Sequence, residues 1–390
     1  MMDASKHESG WSLLGPLLCV AFAGLLRVTI GTWIRDALVL QYDESMRAAV
    51  GNAGLLGIIV ASLLVAGPLT ARIVAALSGA GYAALIALVL VVGSLEAWSL
   101  LALRALGAAF WLAVWVQLIQ RVLLLARHLR HLVTVLAMML ASTVSLIDAG
   151  VLTPFLIEHP RLGLVVSGCL ALVLSVAAAS ARLHGQSEQR GVRAVPWLGA
   201  AVRLLVVGMV VSMAAYAATD TLLDLEHLPT DPPWLQAAGA VTAELMLAGV
   251  LLWLLRHKPE TSSLRVIALT LAVSAALAAA CSLLQSRSWG ALAWFLNAFA
   301  SSLASLGETL LMVIVAALAP PRFIGPVLGV WFVAVTLALR LSDFVTEWAR
   351  GSGAVLSAVA VVAPVLLGAC ALTLMLSHRP SDHPRLAHFD

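Results

Sequence analysis

The chain has 390 residues, of which 62% are hydrophobic and only 11% charged, with a net charge of +3. A soluble domain carries about 25% charged residues. This composition therefore excludes a water-soluble globular protein and requires a lipid bilayer to cover the surplus apolar surface.

A spanning helix needs about 20 mostly apolar residues. Divided at its charges, prolines and glycines, the sequence predicts twelve spans, over 12–34, 50–69, 73–93, 98–121, 132–155, 162–181, 197–218, 234–255, 265–284, 290–318, 323–343 and 354–377. The polar start MMDASKHESG carries no signal-peptide cleavage pattern, so the first span is expected to be retained. Spans 2 and 3 meet in a short turn at Thr70–Arg72, and span 10 is long enough to tilt or to project into water. The most polar inner connector is RLHGQSEQRGVRAVP (182–196). The expected organisation is an N-terminal six-helix bundle over 1–182, a cytoplasmic linker over 183–196, a C-terminal six-helix bundle over 197–377 and a cytoplasmic tail over 378–390.

Basic residues orient these spans. With the N-terminus in the cytoplasm, 14 basic residues fall on inner segments and 5 on outer ones, the latter being Arg35, Arg47, Arg161, Arg287 and Arg350. This obeys the positive-inside rule and predicts that both termini are cytoplasmic. The acidic stretch TDTLLDLEHLPTDPP (219–233) is then an outer loop. Trp11, Trp33, Trp98, Trp197, Trp234, Trp289 and Trp348 lie near span ends, where an aromatic belt belongs. Cys19, Cys169, Cys281 and Cys370 all sit in apolar runs and are read as packing residues rather than disulfides or metal ligands. Arginine outnumbers lysine by 21 to 2, which suggests a GC-rich bacterial source and hence an inner membrane.

Eight ionisable residues inside or at the ends of spans need an explanation: Arg27, Arg104, Asp148, Arg203, Glu244, Glu308, Arg340 and Asp343. A charge near the bilayer centre costs roughly 2.5–3.5 kcal/mol on insertion scales, so each should face protein or water and have a partner. Counting helical rise places Arg27, Arg104 and Asp148 at a similar depth. That trio is either a structural ion-pair cluster fixing helix register or a gating or substrate cluster. Glu244 and Glu308 fall near mid-depth and are the proton-site candidates, because a carboxylate removed from water can hold a proton near neutral pH. Arg203 lies closer to the inner face and is a further gating candidate. Arg340 and Asp343 are spaced as an i, i+3 helix-end pair. Trp111 and Trp115 share a face of span 4 and serve either as packing or as a wall for a solute, and Tyr216 on span 7 is a weaker candidate of the same kind.

Twelve spans in two halves resemble the major facilitator superfamily. GPLTAR (67–72) is similar to its loop between spans 2 and 3, keeping Gly67 and Arg72 but carrying Ala71 where the superfamily has Asp. RALG (104–107) is similar to its span-4 arginine and glycine. The resemblance implies two pseudo-symmetric bundles and alternating access, with the third and sixth helices of each half outside the cavity. SLGE (305–308), LAPPRF (318–323), LGVWFVA (328–334) and HKPETSSLR (257–265) resemble the proton-dependent oligopeptide transporters over about 100 residues. Glu308 then matches that family's span-10 glutamate, which implies a role in binding a peptide's amino end and in gating. Of the family's span-1 signature, AGLLRVTIG (23–31) keeps only Arg27, without either carboxylate.

Three functions compete. The first is a proton-coupled secondary transporter of a short peptide or similar zwitterion, with Glu308 meeting the amine and Arg27 the carboxylate. The second is a proton-driven exporter of drugs or metabolites, with Trp111 and Trp115 on the wall. The third is a non-transporting receptor or assembly partner. An enzyme is not expected, since no nucleophile–base pair or metal cluster is evident, and no phosphate-binding G-x-x-x-x-G-K-[ST] loop occurs. No cofactor and no nucleic-acid partner are expected. A proton gradient, a small solute, the lipid bilayer and a monomer are.

Overall fold

The structure is a computed structural model that describes residues 17–23, 44–66, 69–93, 96–125, 127–147, 158–180, 197–226, 233–258, 262–284, 290–320 and 323–376. Among these residues the regular structure is helical throughout. A bilayer interior offers backbone groups no water, and a helix satisfies them within one segment. The helical stretch 17–23 is α1 here. It is followed by α2 (Glu44–Ala66), α3 (Ala71–Val92), α4 (Ala97–Val122), α5 (Arg127–Ile147) and α6 (Pro160–Ser180). Then come α7 (Trp197–Glu226), α8 (Pro233–His257), α9 (Ser263–Leu284), α10 (Gly290–Leu318), α11 (Ile324–Arg350) and α12 (Gly353–Leu376). Among the described residues nine helices, α3, α4 and α6 to α12, are long and apolar enough to cross a membrane. Helices α2 and α5 carry the shorter apolar stretches Asn52–Val65 and Leu129–Val144.

Most helix bounds lie within a few residues of the sequence expectation, and four differ by more. Helix α2 starts six residues early, at Glu44, and α5 five residues early, at Arg127, while α11 runs on to Arg350 and α7 continues to Glu226. The first part of the expected outer loop is therefore helix. A charged residue marks where hydrocarbon ends, whereas backbone hydrogen bonding continues beyond it until a cap or a proline intervenes. The tight α2–α3 turn shows the caps. Thr70 Oγ1 accepts from the Ile73 N–H at 3.4 Å at the start of α3, and Gly93 closes the same helix with φ of 74°. A left-handed residue there lets the Gly93 N–H reach the Val89 carbonyl at 2.9 Å, at no steric cost to glycine.

By packing, the chain falls into two compact units. One comprises Met1–Leu124, Thr143–Gly191 and Pro321–Val330, and the other Leu125–Ser142, Val192–Pro320 and Trp331–Asp390. Most of α5 thus packs within the second unit and the first turns of α11 within the first.

The two units repeat one packing scheme. In the first, α2 packs on α4, α3 on α4 and α3 on α6. In the second, α8 packs on α10, α9 on α10 and α9 on α12. Glycine sets the first of these crossings in both. A Cβ on Gly57 of α2 would stand 2.1 Å from the Ala105 carbonyl oxygen of α4, and one on Gly239 of α8 would stand 2.7 Å from the Phe295 carbonyl oxygen of α10. The backbones touch because hydrogen is the only side chain that fits. Serine hydroxyls pin other pairs: Ser175 Oγ donates to the Ala76 carbonyl at 2.7 Å, and Ser274 Oγ to the Ala300 carbonyl at 2.7 Å.

Large apolar side chains such as Leu63, Leu77, Val91, Val173, Phe344 and Val365 are exposed on the helix exteriors. This is the face a bilayer covers. Helices α10 and α4 are the most enclosed spans, with 72% and 61% of their apolar windows buried. They occupy equivalent places in the two units. Cys19, Cys281 and Cys370 are buried and Cys169 is exposed, all as free thiols.

Candidate solute and proton site

Glu308 sits on α10, about 15 Å along the helix axis from its end at Leu318. Three consecutive residues there face three neighbours. A Cβ on Gly307 would meet Leu271 Cδ2 of α9 at 2.8 Å. Glu308 Oε1 accepts a hydrogen bond from Trp331 Nε1 of α11 at 2.9 Å. The Thr309 hydroxyl lies 4.0 Å from the Met138 sulfur of α5 and donates to the Ser305 carbonyl at 2.8 Å.

Helix α7 completes the Glu308 surroundings. Trp331 is 1% exposed, and its indole lies where a Cβ on Gly208 would come within 2.4 Å of Cη2. One turn later, Ser212 lies beside the Glu308 carboxyl while its Oγ donates to the Gly208 carbonyl at 2.9 Å. A hydroxyl has one proton and two lone pairs. With its proton given to Gly208, Ser212 presents acceptor capacity to Glu308, and a protonated Glu308 can use it. Among the described side chains no cation lies within 4.0 Å of Glu308, whereas Arg340 and Asp343 form an ion pair at 3.5 Å. That exposed i, i+3 pair has the geometry its spacing predicts.

Glu244 of α8 is 3% exposed and belongs to a second polar contact. Its Oε1 accepts from Ser142 Oγ of α5 at 2.5 Å. Closer to the start of α5, His131 Nε2 and Ser263 Oγ are hydrogen-bonded at 2.8 Å.

The other sequence candidates are spread over both units. In the first unit, Trp111 and Trp115 of α4 pack edge to face with ring centroids 6.2 Å apart. Trp115 is 3% exposed and its Nε1 is buried without a hydrogen-bond partner. Arg104, also on α4, crosses α2 at Gly54, where a Cβ would lie 3.1 Å from its Nε. In the second unit, Arg203 and Tyr216 of α7 are both exposed. Arg27 and Asp148 lie outside the described residues, so their trio with Arg104 is not seen.

The structure adds Trp331, Ser212, Gly208 and Ser142 to the sequence list. Trp331 lies inside the quoted LGVWFVA segment, and the available signal was its indole N–H, a donor in an apolar run that needs an acceptor.

No family model matches this sequence, and no curated protein matches it. Solved structures do. The Escherichia coli fucose:proton symporter FucP superposes with a TM-score of 0.64 at 13% identity, over 93% of this chain and 99% of that one. A bacterial homologue of the iron transporter ferroportin, in its outward-facing state, gives a TM-score of 0.67 at 13% identity over 94% and 98%. The human organic anion transporter MFSD10 gives 0.62 at 17% identity over 93% and 97%. Nearly the whole chain is matched to nearly the whole of each, so this integral membrane protein has the fold of the major facilitator superfamily transporters.

Proposed function

We propose that the protein is a secondary active transporter that works by alternating access, couples to protons and moves a small organic solute, with a short peptide or similar zwitterion as the preferred class. The observation that carries this reading is the Glu308 carboxyl, deep in the most enclosed helix and met by Trp331 and Ser212 with no neighbouring described cation. A carboxyl in that setting can exchange a proton for a cationic group of a solute, and that exchange is the chemical minimum for coupling. The solute's amine would meet Glu308 and its carboxylate Arg27. Fold neighbours that include a proton symporter agree with the proton as driving ion. The setting proposed is a bacterial inner membrane with both termini in the cytoplasm.

The test is reconstitution in liposomes with an imposed pH gradient and a panel of dipeptides beside cationic dyes. Dipeptide uptake that collapses in Glu308→Gln is the expected result. Dye movement without dipeptide uptake overturns the peptide reading in favour of a proton-driven exporter. Silence with both, in protein shown to be folded, favours a non-transporting receptor.

A further inference from the structure

We propose that Glu244 and Ser142 form a buried proton-binding site, separate from Glu308, which fastens α5 to α8 while the Glu244 carboxyl is protonated. The site rests on its own geometry, and its test needs no solute.

Glu244 lies near the middle of α8, about 17 Å along the axis from Pro233 and about 20 Å from His257. It is 3% exposed, and only one of its oxygens is engaged. Oε1 accepts from Ser142 at 2.5 Å, whereas Oε2 is buried with no hydrogen-bond partner among the described residues. An ionised carboxylate would leave a full charge with a single neutral donor in a place closed to water, which is strongly unfavourable. A neutral carboxylic acid leaves only an unsatisfied hydroxyl, a smaller cost. A metal ion would need several more oxygens than one carboxylate and one hydroxyl supply. Among the described residues no set of three metal-ligating side chains comes together. The occupant that fits is a proton on Oε2.

Among the described residues the surrounding ionisable groups do not compensate a charge here. On α5, Arg130 donates from Nε to the Leu125 carbonyl and His131 is bonded to Ser263, both about 16–18 Å along the helix from Ser142. On α10, the titratable residue is Glu308, engaged by Trp331. The basic residues of α8, Arg256 and His257, lie in its last turn. Asp148 lies outside the described residues. Loss of the proton would therefore put an uncompensated charge in the α5–α8 seam, and moving the two helices apart to admit water is the way to relieve it.

The experiment is infrared difference spectroscopy of the full chain in lipid bilayers, in a Glu308→Gln background that removes the other deep carboxyl among the described residues. A protonated-carboxyl C=O band at neutral pH is expected. It should vanish in Glu308→Gln/Glu244→Gln and shift to higher frequency with Ser142→Ala, which removes the donor. No such band, a band that survives Glu244→Gln, or one unmoved by Ser142→Ala overturns the proposal. Melting temperature gives an independent readout that does not depend on band assignment. The folded chain would hold a proton that the unfolded chain releases at neutral pH, so stability falls as pH rises. Glu244→Gln keeps an oxygen for Ser142 and should flatten that fall; an undiminished fall overturns the proposal. Neither readout involves transport, so this site can fail while the transporter reading stands, and the reverse.

Discussion

The Trp331 indole N–H and the Glu308 carboxyl meet at 2.9 Å across the α10–α11 boundary, 23 residues apart in sequence. The contact depends on a third residue, because the indole occupies the space that a side chain at Gly208 would take. Trp331→Phe keeps most of the ring volume and removes the donor. Losing one hydrogen bond to a partly buried carboxyl should cost about 1–3 kcal/mol. Trp331→Ala, which also opens a cavity, should cost about 3–5 kcal/mol. Thermal denaturation in lipid nanodiscs checks the order.

Gly208→Ala should destabilise, by about 1–3 kcal/mol, because the new methyl would stand 2.4 Å from Trp331 Cη2. Gly249→Ala on α8 provides the contrast. No atom lies within 4 Å of a Cβ there, so the substitution should be neutral or stabilising by up to about 1 kcal/mol. A melting temperature for Gly208→Ala at or above the parent would contradict the packing described.

Gly57→Ala and Gly239→Ala should each be more harmful than Gly208→Ala. Their added methyl groups meet backbone oxygens at 2.1 and 2.7 Å, and a helix backbone cannot turn aside as a side chain can. Yield of folded protein and melting temperature read this directly, and Gly57→Ala should be the worse of the two.

Glu308→Gln keeps an acceptor for Trp331 and removes the titratable proton. Under the proposed function, accumulation against a pH gradient should be lost by about tenfold or more, because coupling needs a group that gains and loses a proton. Solute exchange at equal pH, assayed by counterflow, should lose less. Equal loss of both would instead assign Glu308 to solute binding alone.

Asp343→Asn removes the Arg340–Asp343 ion pair, whose partners are 49% and 40% exposed. Exposed pairs are worth about 0–1 kcal/mol, so melting temperature and uptake should both stay near the parent values.

The layout of spans is legible because hydrocarbon thickness sets their length, and composition alone gives the bounds of α10, 290–318. The extensions of α7 and α11 are not, since Asp220, Glu347 and Arg350 mark an interface without ending a helix. Glu308 stood out as a lone charge in an apolar run. Its partner did not, because a tryptophan in LGVWFVA looks like any other packing residue until helix rotation is known. Ser142 was invisible for the same reason: a serine bonding its own helix and one bonding Glu244 across a seam have identical sequence neighbourhoods.

Gly307, Glu308 and Thr309 each face a different helix, so the register of α10 works like a key with three teeth cut side by side. One residue along a helix is a turn of about 100°. Deleting a single residue from the first half of α10 would present the wrong tooth to α9, α11 and α5 at once, bringing a carboxyl against Leu271 and a threonine against Trp331. A sliding motion of α10 along its axis keeps the teeth aligned, whereas rotation exchanges all three together. Any working movement of this helix is thereby restricted to translation and tilt.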